Sequence, residues 1–234
     1  MTNMNVSQLN APPRQISPAA TRALPAGARP RSFMHGERRE VVVLYADMRG
    51  FTQNSQLLPA NTVLAMLETF FSSMNEVIDC NGGVMVNMQG DTLLAAFGVE
   101  AVSATPAQPE MLCHAITCAH QMQTSFQGMA DKWVEEFGIR TALGVGLNRG
   151  EAVVGISGAP NLQTYMVYGD CVELAKRFMQ RARAGEIVFS AAVKQAMQES
   201  CAVTDTQALP ELAIGGREPI GLYGVTIETR LDFT

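Results

Sequence analysis

The sequence predicts an α+β domain in which helices pack on a mixed sheet, and three observations carry that expectation. Apolar runs of strand length are interspersed with longer segments whose apolar residues recur at helical spacing. Two pairs of the strand-like runs are separated by short glycine-containing turns, the pattern of hairpins. Strands and helices are intermixed along the chain, as in an α+β sandwich. The 234 residues suit one domain with a tail, and 47% hydrophobic content supplies a core.

Taken in order, residues 1–38 contain Pro12, Pro13, Pro18, Pro25 and Pro30 among Ala and Ser, with no apolar periodicity. This stretch reads as an extended or disordered tail. Folding is expected to begin near Arg39. Val41 to Ala46 is a β-branched run with the character of a buried strand, and Met48 to Thr52 is the turn after it. Pro59 to Asp79 places Val63, Leu64, Leu67, Phe70, Phe71, Met74, Val77 and Ile78 at helical spacing, and Asn81-Gly82-Gly83 ends that helix. Val84–Met88 and Thr92–Phe97 form a hairpin through Gln89-Gly90-Asp91. A polar loop spans Ser103–Pro109, and Glu110 to about Phe137 is helical in pattern. Ile139–Asn148 and Ala152–Ile156 read as a second hairpin around Arg149-Gly150-Glu151, followed by a loop to Tyr168. Asp170 is expected to cap a helix to about Arg183. A strand at Glu186–Phe189, a helix at Ala191–Glu199, and strands at Leu212–Ile214 and Ile220–Ile227 complete the sheet. The domain is thus expected at 39–228, with a short tail at 229–234. No internal repeat is visible.

Charge and cysteine content narrow the function classes. Residues 1–40 carry six arginines and two glutamates, a net +4, within a chain of net charge −5, so the body is strongly acidic at −9. An acidic body argues against sequence-independent nucleic-acid binding, and the basic tail reads as a solubilising or dimer-embracing arm. Five scattered cysteines without a CxxC, and no charged-then-apolar leader, point to reduced thiols in the cytoplasm. Three histidines without paired spacing give no zinc site. No apolar stretch approaches the ~18–20 residues that span a bilayer.

The chemistry concentrates on two aspartates. Asp47 follows the first apolar strand, and Asp91 stands in the turn between two others, so a sheet that places those strands side by side brings both carboxylates to one edge. A carboxylate ending a buried strand is costly unless it is paired or holds a metal. Two hard oxygen ligands with open positions suit Mg²⁺ or Mn²⁺ better than zinc. Backbone N–H groups between Arg49 and Thr52, in the turn after Asp47, are placed to meet an anion. A metal-bound triphosphate satisfies both features; the competing reading makes Asp47 a cap and Asp91 an ordinary turn residue.

Four blocks in order, VVVLYADMRGFT, GGVMVNMQGDTLLAAFG, IRTALGVGLNRGEAVVGISG and TYMVYGDCVELAKRF, resemble the class III nucleotide cyclase catalytic domain, and REPIGLYGV extends the resemblance towards Ile227. The resemblance implies a ferredoxin-like α+β domain that is active as a homodimer, with sites at the subunit interface. It implies that Asp47 and Asp91, with the Met48 carbonyl, bind two divalent cations (Mn²⁺ or Mg²⁺). Gly50, Phe51 and Thr52 would border the phosphates, Thr92 would stand at a position that bears on the choice between uracil and cytosine and leaves it open, and Arg177, from the partner chain's helix, would stabilise charge on the α-phosphate. Arg177 also fits an ion pair with Glu173 in the favourable order along a helix.

Several positions depart from the purine-specific pattern. Asn87 stands where adenylate cyclases carry a base-selecting lysine. Met166 stands where they often have Asp or Thr. Glu173 replaces the family's asparagine, Ile214 aligns loosely with a phosphate-binding lysine, and Tyr45 replaces a phenylalanine two residues before Asp47. The changes fall on base recognition and the phosphate environment and spare the metal aspartates. Retuned specificity accounts for that pattern, because a pocket built for one base rejects others. The small stand-alone pyrimidine cyclases of bacterial anti-phage defence are similar in size and in carrying Tyr at the Tyr45 position. The resemblance therefore implies a cyclase acting on UTP ahead of CTP, signalling through a separate cyclic-nucleotide-responsive effector. Two alternatives stay open: a purine cyclase with unusual pocket residues, and a pseudocyclase that binds nucleotide and regulates a partner. Tyr45 also fits a tyrosine at the edge of the core.

Overall fold

Strict alternation along one long strand sets the architecture. In β1 (Glu37–Arg49), Val42, Leu44, Ala46 and Met48 face one side, while Val41, Val43, Tyr45, Asp47 and Arg49 face the other. Successive side chains of a strand point to opposite faces, so this strand serves two cores at once. The structure is a computed structural model, and it describes residues 36–99, 108–157, 164–201 and 206–226.

Following β1 come α1 (Phe51–Asn54), a single 3-10 turn (Ser55–Leu57), α2 (Ala60–Cys80), the strands β2 (Gly83–Gln89) and β3 (Thr92–Phe97), and α3 (Gln108–Phe137). Then follow β4 (Ala142–Ser157), β5 (Thr164–Tyr168), α4 (Asp170–Arg181), β6 (Glu186–Ser190), α5 (Ala191–Ser200), β7 (Gln207–Leu212) and β8 (Ile220–Thr226). The sheet runs β2-β3-β1-β4-β6-β8-β7, with β5 paired to β4. Only β4–β6 is a parallel pair, so the sheet is mixed. Its first four strands with α2 and α3 form the β-α-β-β-α-β unit of ferredoxin-like folds.

Helices α2, α3 and α5 bury Phe70, Met74, Ile78, Leu112, Met122, Phe126, Val193 and Met197 in one core with the even-numbered residues of β1, on the same face of the sheet. Phe126 joins Phe70 and Trp133 edge-to-face at 5.7 and 5.9 Å. Helix α4 covers the opposite face, burying Cys171 and Ala175 against β1 and β4, and Phe178 against Val188 and Leu222. Its close seat depends on Gly146 of β4, where a Cβ would fall 2.1 Å from the Met179 nitrogen and 2.2 Å from the Ala175 oxygen.

Several expectations are corrected. Residues 142–157 are one continuous strand, and the hairpin expected around Arg149-Gly150-Glu151 does not form. β1 pairs with β4 from Glu37↔Val154 to Arg49↔Ala142 without a break, and this long ladder keeps the backbone extended through Gly150. The same ladder draws Met48 and Arg49 into the strand, so the turn begins only at Gly50, whose φ of 73° favours glycine. The stretch before Tyr168 contains β5, paired to the far half of β4. Asp170 makes no side-chain cap; it is the first residue of α4 and pairs with Arg217 at 2.6 Å. The strand expected at 212–214 lies earlier, at Gln207–Leu212, and Ile214 instead accepts a turn hydrogen bond from Arg217. Cys113 and Cys201 form a disulfide, contrary to the expectation of five reduced thiols, because α3 and α5 pack side by side and bring their Cα atoms to 5.6 Å. Cys80, Cys118 and Cys171 remain free. Among the described residues no helix is long and apolar enough to cross a membrane. Residues 1–35 and 227–234, which include nearly all of both expected tails, and most of the polar loop at 103–109 lie outside the described residues.

Candidate active site

Asp47 and Asp91 meet at the edge of the sheet. Asp47 lies opposite Thr92 in the β1–β3 ladder, and Asp91 is the turn residue immediately before Thr92. The Met48 N–H donates to the Asp91 carbonyl at 3.2 Å. Within a strand the N–H and C=O of one residue point to the same side, so the Met48 carbonyl also faces this turn. The Met48 side chain is buried in the opposite core.

Two threonines brace the carboxylates crosswise. Thr92 donates to Asp47 Oδ1 at 2.7 Å, and Thr52, in α1, donates to Asp91 Oδ2 at 2.7 Å. Arg49 donates to Asp47 Oδ2 at 2.9 Å. Both members of that pair are part-buried, at 24% and 20% exposure. Burial pulls the Arg49 guanidinium below its usual pKa, and the carboxylates of Asp47, Asp91 and Glu186 oppose the shift. Gly50 forms the turn, and the Phe51 side chain sits in the core 5.9 Å from the Trp133 ring, which leaves only their backbone to face a ligand.

The odd-numbered face of β1 forms one wall of a pocket of about 350 Å³. Tyr45, Asp47 and Arg49 line it with Asn87, Gln89 and Thr92 from the neighbouring strands, and Lys176, Met179 and Gln180 from α4 close it. Register explains the rows: Asn87 and Tyr45 both lie opposite Leu94, and Gln89 and Asp47 both lie opposite Thr92. A bulge at Val86 makes this possible. Val84 and Val86 pack on the α4 side, and after the extra residue Asn87 and Gln89 take that side while Met88 turns to the other core. Burial first, and the charge of Glu173 second, raise the Tyr45 phenol above its ordinary pKa, so it stays neutral and able to donate.

The remaining sequence candidates, Glu173, Arg177 and Met166, lie outside the lining of this pocket. Glu173 and Arg177 form an i,i+4 ion pair at 3.7 Å on the open face of α4. Such an exposed pair contributes little stability. Arg177 does not line the pocket of its own chain, and Met166 stands half-exposed on β5, apart from it. Sequence reasoning missed Arg49, Gln89, Lys176 and Gln180 as pocket residues. Arg49 and Gln89 follow Asp47 and Asn87 by two positions in strands, and Lys176 and Gln180 are four apart on a helix, so periodicity alone could have found them.

The donor set fits a divalent cation. Asp47, Asp91 and the Met48 carbonyl are all hard oxygens, and each carboxylate oxygen keeps acceptor capacity beyond the bond it makes. No cluster of three or more His, Cys, Asp or Glu that could hold a metal occurs among the described residues.

Comparison with known proteins bears on the fold and the family. The chain is 30% identical over 176 residues to an uncharacterized protein of Mycobacterium tuberculosis, covering 74% of this chain and 30% of that protein. The chain thus spans less than a third of the length of that curated relative. Among solved structures, the adenylyl cyclase CyaB from P. aeruginosa superposes with a TM-score of 0.74 at 24% identity, over 83% of this chain and 97% of that one. The guanylyl cyclase Cya2 superposes with a TM-score of 0.69 at 28% identity, over 81% and 92%. The family profile of the adenylate and guanylate cyclase catalytic domain matches residues 34–226, and with the fold and the paired aspartates in place the chain belongs to that family.

Proposed function

We propose that the protein is a metal-dependent nucleotide cyclase, working as a homodimer, that converts a pyrimidine nucleoside triphosphate, UTP ahead of CTP, to its 3′,5′-cyclic monophosphate. The observation that carries the cyclase reading is the crosswise-braced pair of Asp47, which lines the pocket, and Asp91, held by Thr52 in the turn before the pocket residue Thr92. Bound at these oxygens, two divalent cations would supply a lowered pKa for the ribose 3′-hydroxyl and neutralisation of the phosphates. The 3′-oxygen forms a bond to the α-phosphorus, the bond from that phosphorus to the β-phosphate bridging oxygen breaks, and pyrophosphate departs, with the hydroxyl proton passing to solvent.

The chain's own residues have separable tasks. Thr92 and Thr52 fix the carboxylate orientations, and backbone N–H groups from Gly50 to Thr52 stand where phosphate oxygens would lie. Arg177 is exposed on α4 and outside its own pocket, which suits a cation delivered to the partner's site to meet charge on the α-phosphate. The Glu173 pairing would then have to break on assembly.

Base choice rests on Tyr45, Asn87 and Gln89. Each can both donate and accept, and the lysine of this pocket, Lys176, comes from α4 and not from the Asn87 position. Met166 would belong to the same selection only if β5 closes over the base in the dimer. The alternative, a purine cyclase, is favoured by the adenylyl and guanylyl names of the superposed structures. A pseudocyclase is favoured by the exposed Glu173, a carboxylate where a triphosphate would be repelled. The product would act on a separate effector in defence signalling. Incubation with ATP, GTP, CTP and UTP separately, each with Mn²⁺, tests the reading. Pyrimidine turnover supports it, turnover of ATP or GTP alone refutes the base assignment, and nucleotide binding without pyrophosphate release refutes catalysis.

A further inference from the structure

Arg49 reaches two places at once. One end of its guanidinium holds Asp47 Oδ2 at 2.9 Å. The other end donates to the Met179 carbonyl in the last turn of α4, an oxygen that also accepts from the Ala182 N–H. A cation at a helix C-terminus is electrostatically favoured, because the last carbonyls carry partial negative charge. The space for this reach is built into β4: a Cβ on Gly144 would fall 2.3 Å from Arg49 Nε and 2.4 Å from Nη2. The Nε is buried without a partner, so the group is positioned for its two end contacts and not for a full set of bonds. Arg49 thus ties a candidate metal carboxylate to the same helix that carries Arg177.

We propose that Arg49 is a positioning residue that couples cation binding at Asp47 to the C-terminal turn of α4. The inference rests on the metal reading of the aspartates. A divalent cation on Asp47 brings positive charge beside the guanidinium and weakens its hold on Oδ2, which loosens the tether between β1 and α4. Since α4 presents Arg177 outward, the state of Asp47 in one site is conveyed to the helix that would serve the other. Arginine suits this task because its planar fork makes two directed bonds from one charge, which lysine cannot.

Hydrogen exchange across residues 176–182, together with Mn²⁺ binding followed by electron paramagnetic resonance without nucleotide, tests the coupling on the full chain. In the unmodified protein, Mn²⁺ alone is expected to speed exchange in the last turn of α4. In Arg49→Gln, Mn²⁺ binds roughly five-fold more tightly, the effect of removing one competing partly exposed charge contact, and the exchange response disappears. Gly144→Ala keeps every charge but evicts the guanidinium, and should also abolish the response; it decides the matter if Arg49→Gln does not fold. An exchange pattern in the unmodified protein that ignores bound Mn²⁺, or unchanged Mn²⁺ affinity in Arg49→Gln, would overturn the coupling while leaving the cyclase reading intact. Absence of any Mn²⁺ binding would overturn both.

Discussion

Asp47 and Asp91 come from different stretches of backbone, and each is held by a threonine standing beside the other. This reciprocal bracing makes the pair a preformed unit. Asp47→Ala and Asp91→Ala should each lower turnover by at least about 100-fold, as loss of metal-site groups does, while circular dichroism stays native; activity surviving both would remove the metal account. Arg177→Ala should reduce kcat by about 10²–10³-fold, the usual effect of removing a transition-state donor, with Mn²⁺ affinity unchanged. Asn87→Ala should alter the ratio of kcat/KM among the four nucleotides more than it alters metal dependence. The aspartates were legible in the sequence because each follows an apolar strand. The bulge at Val86 was not, because one extra residue in a strand leaves no mark in an apolar pattern. The threonine braces escaped because a hydroxyl beside a carboxylate across 39 or 45 residues is fixed only by tertiary register.

Among the elements, the seat of α4 on β4 is the most demanding contact. Their contact is backbone to side-chain-free strand at Gly146, so Gly146→Ala forces the helix outward and should destabilise the fold by about 1–3 kcal/mol, read as a lower midpoint in urea unfolding. If stability and turnover were both unaffected, the close seat of α4 would be irrelevant. Helices were well anticipated: α2 was expected at Pro59–Asp79 and stands at Ala60–Cys80. Periodicity over five turns is hard to mistake. β4 was misread because Arg149-Gly150-Glu151 has the composition of a turn, and only the facing β1 ladder holds it extended. β5, Thr164–Tyr168, carries strand-favouring Thr, Tyr and Val, but at five residues beside Gly169 it reads equally as the end of a loop.

For the whole molecule, the account requires two chains per functional unit. Neither Asp47→Ala nor Arg177→Ala should turn over alone, yet an equal mixture that exchanges subunits should recover about a quarter of the unmodified activity, since half the dimers are mixed and each has one intact site. Recovery of nothing would place both residues in one chain's site. Thiol chemistry probes the monomer fold: denatured, unreduced protein should titrate with the three free thiols Cys80, Cys118 and Cys171 if the Cys113–Cys201 bridge persists. Burial pushes the Cys118 thiol up to about 12. The folded state therefore holds that proton more tightly than the unfolded chain, whose thiol titrates near ~8.5. Its contribution to stability is full below that value and is lost as pH rises towards about 12, so unfolding at fixed urea should increase across that window. The measurement that bears most directly on the central claim is product identification by mass spectrometry after incubation with Mn²⁺ and each nucleoside triphosphate. The account predicts cyclic monophosphate and pyrophosphate in equal amounts from UTP, and neither from the Asp91→Ala protein. Nucleoside diphosphate with inorganic phosphate, or an unaltered triphosphate in every case, would contradict it.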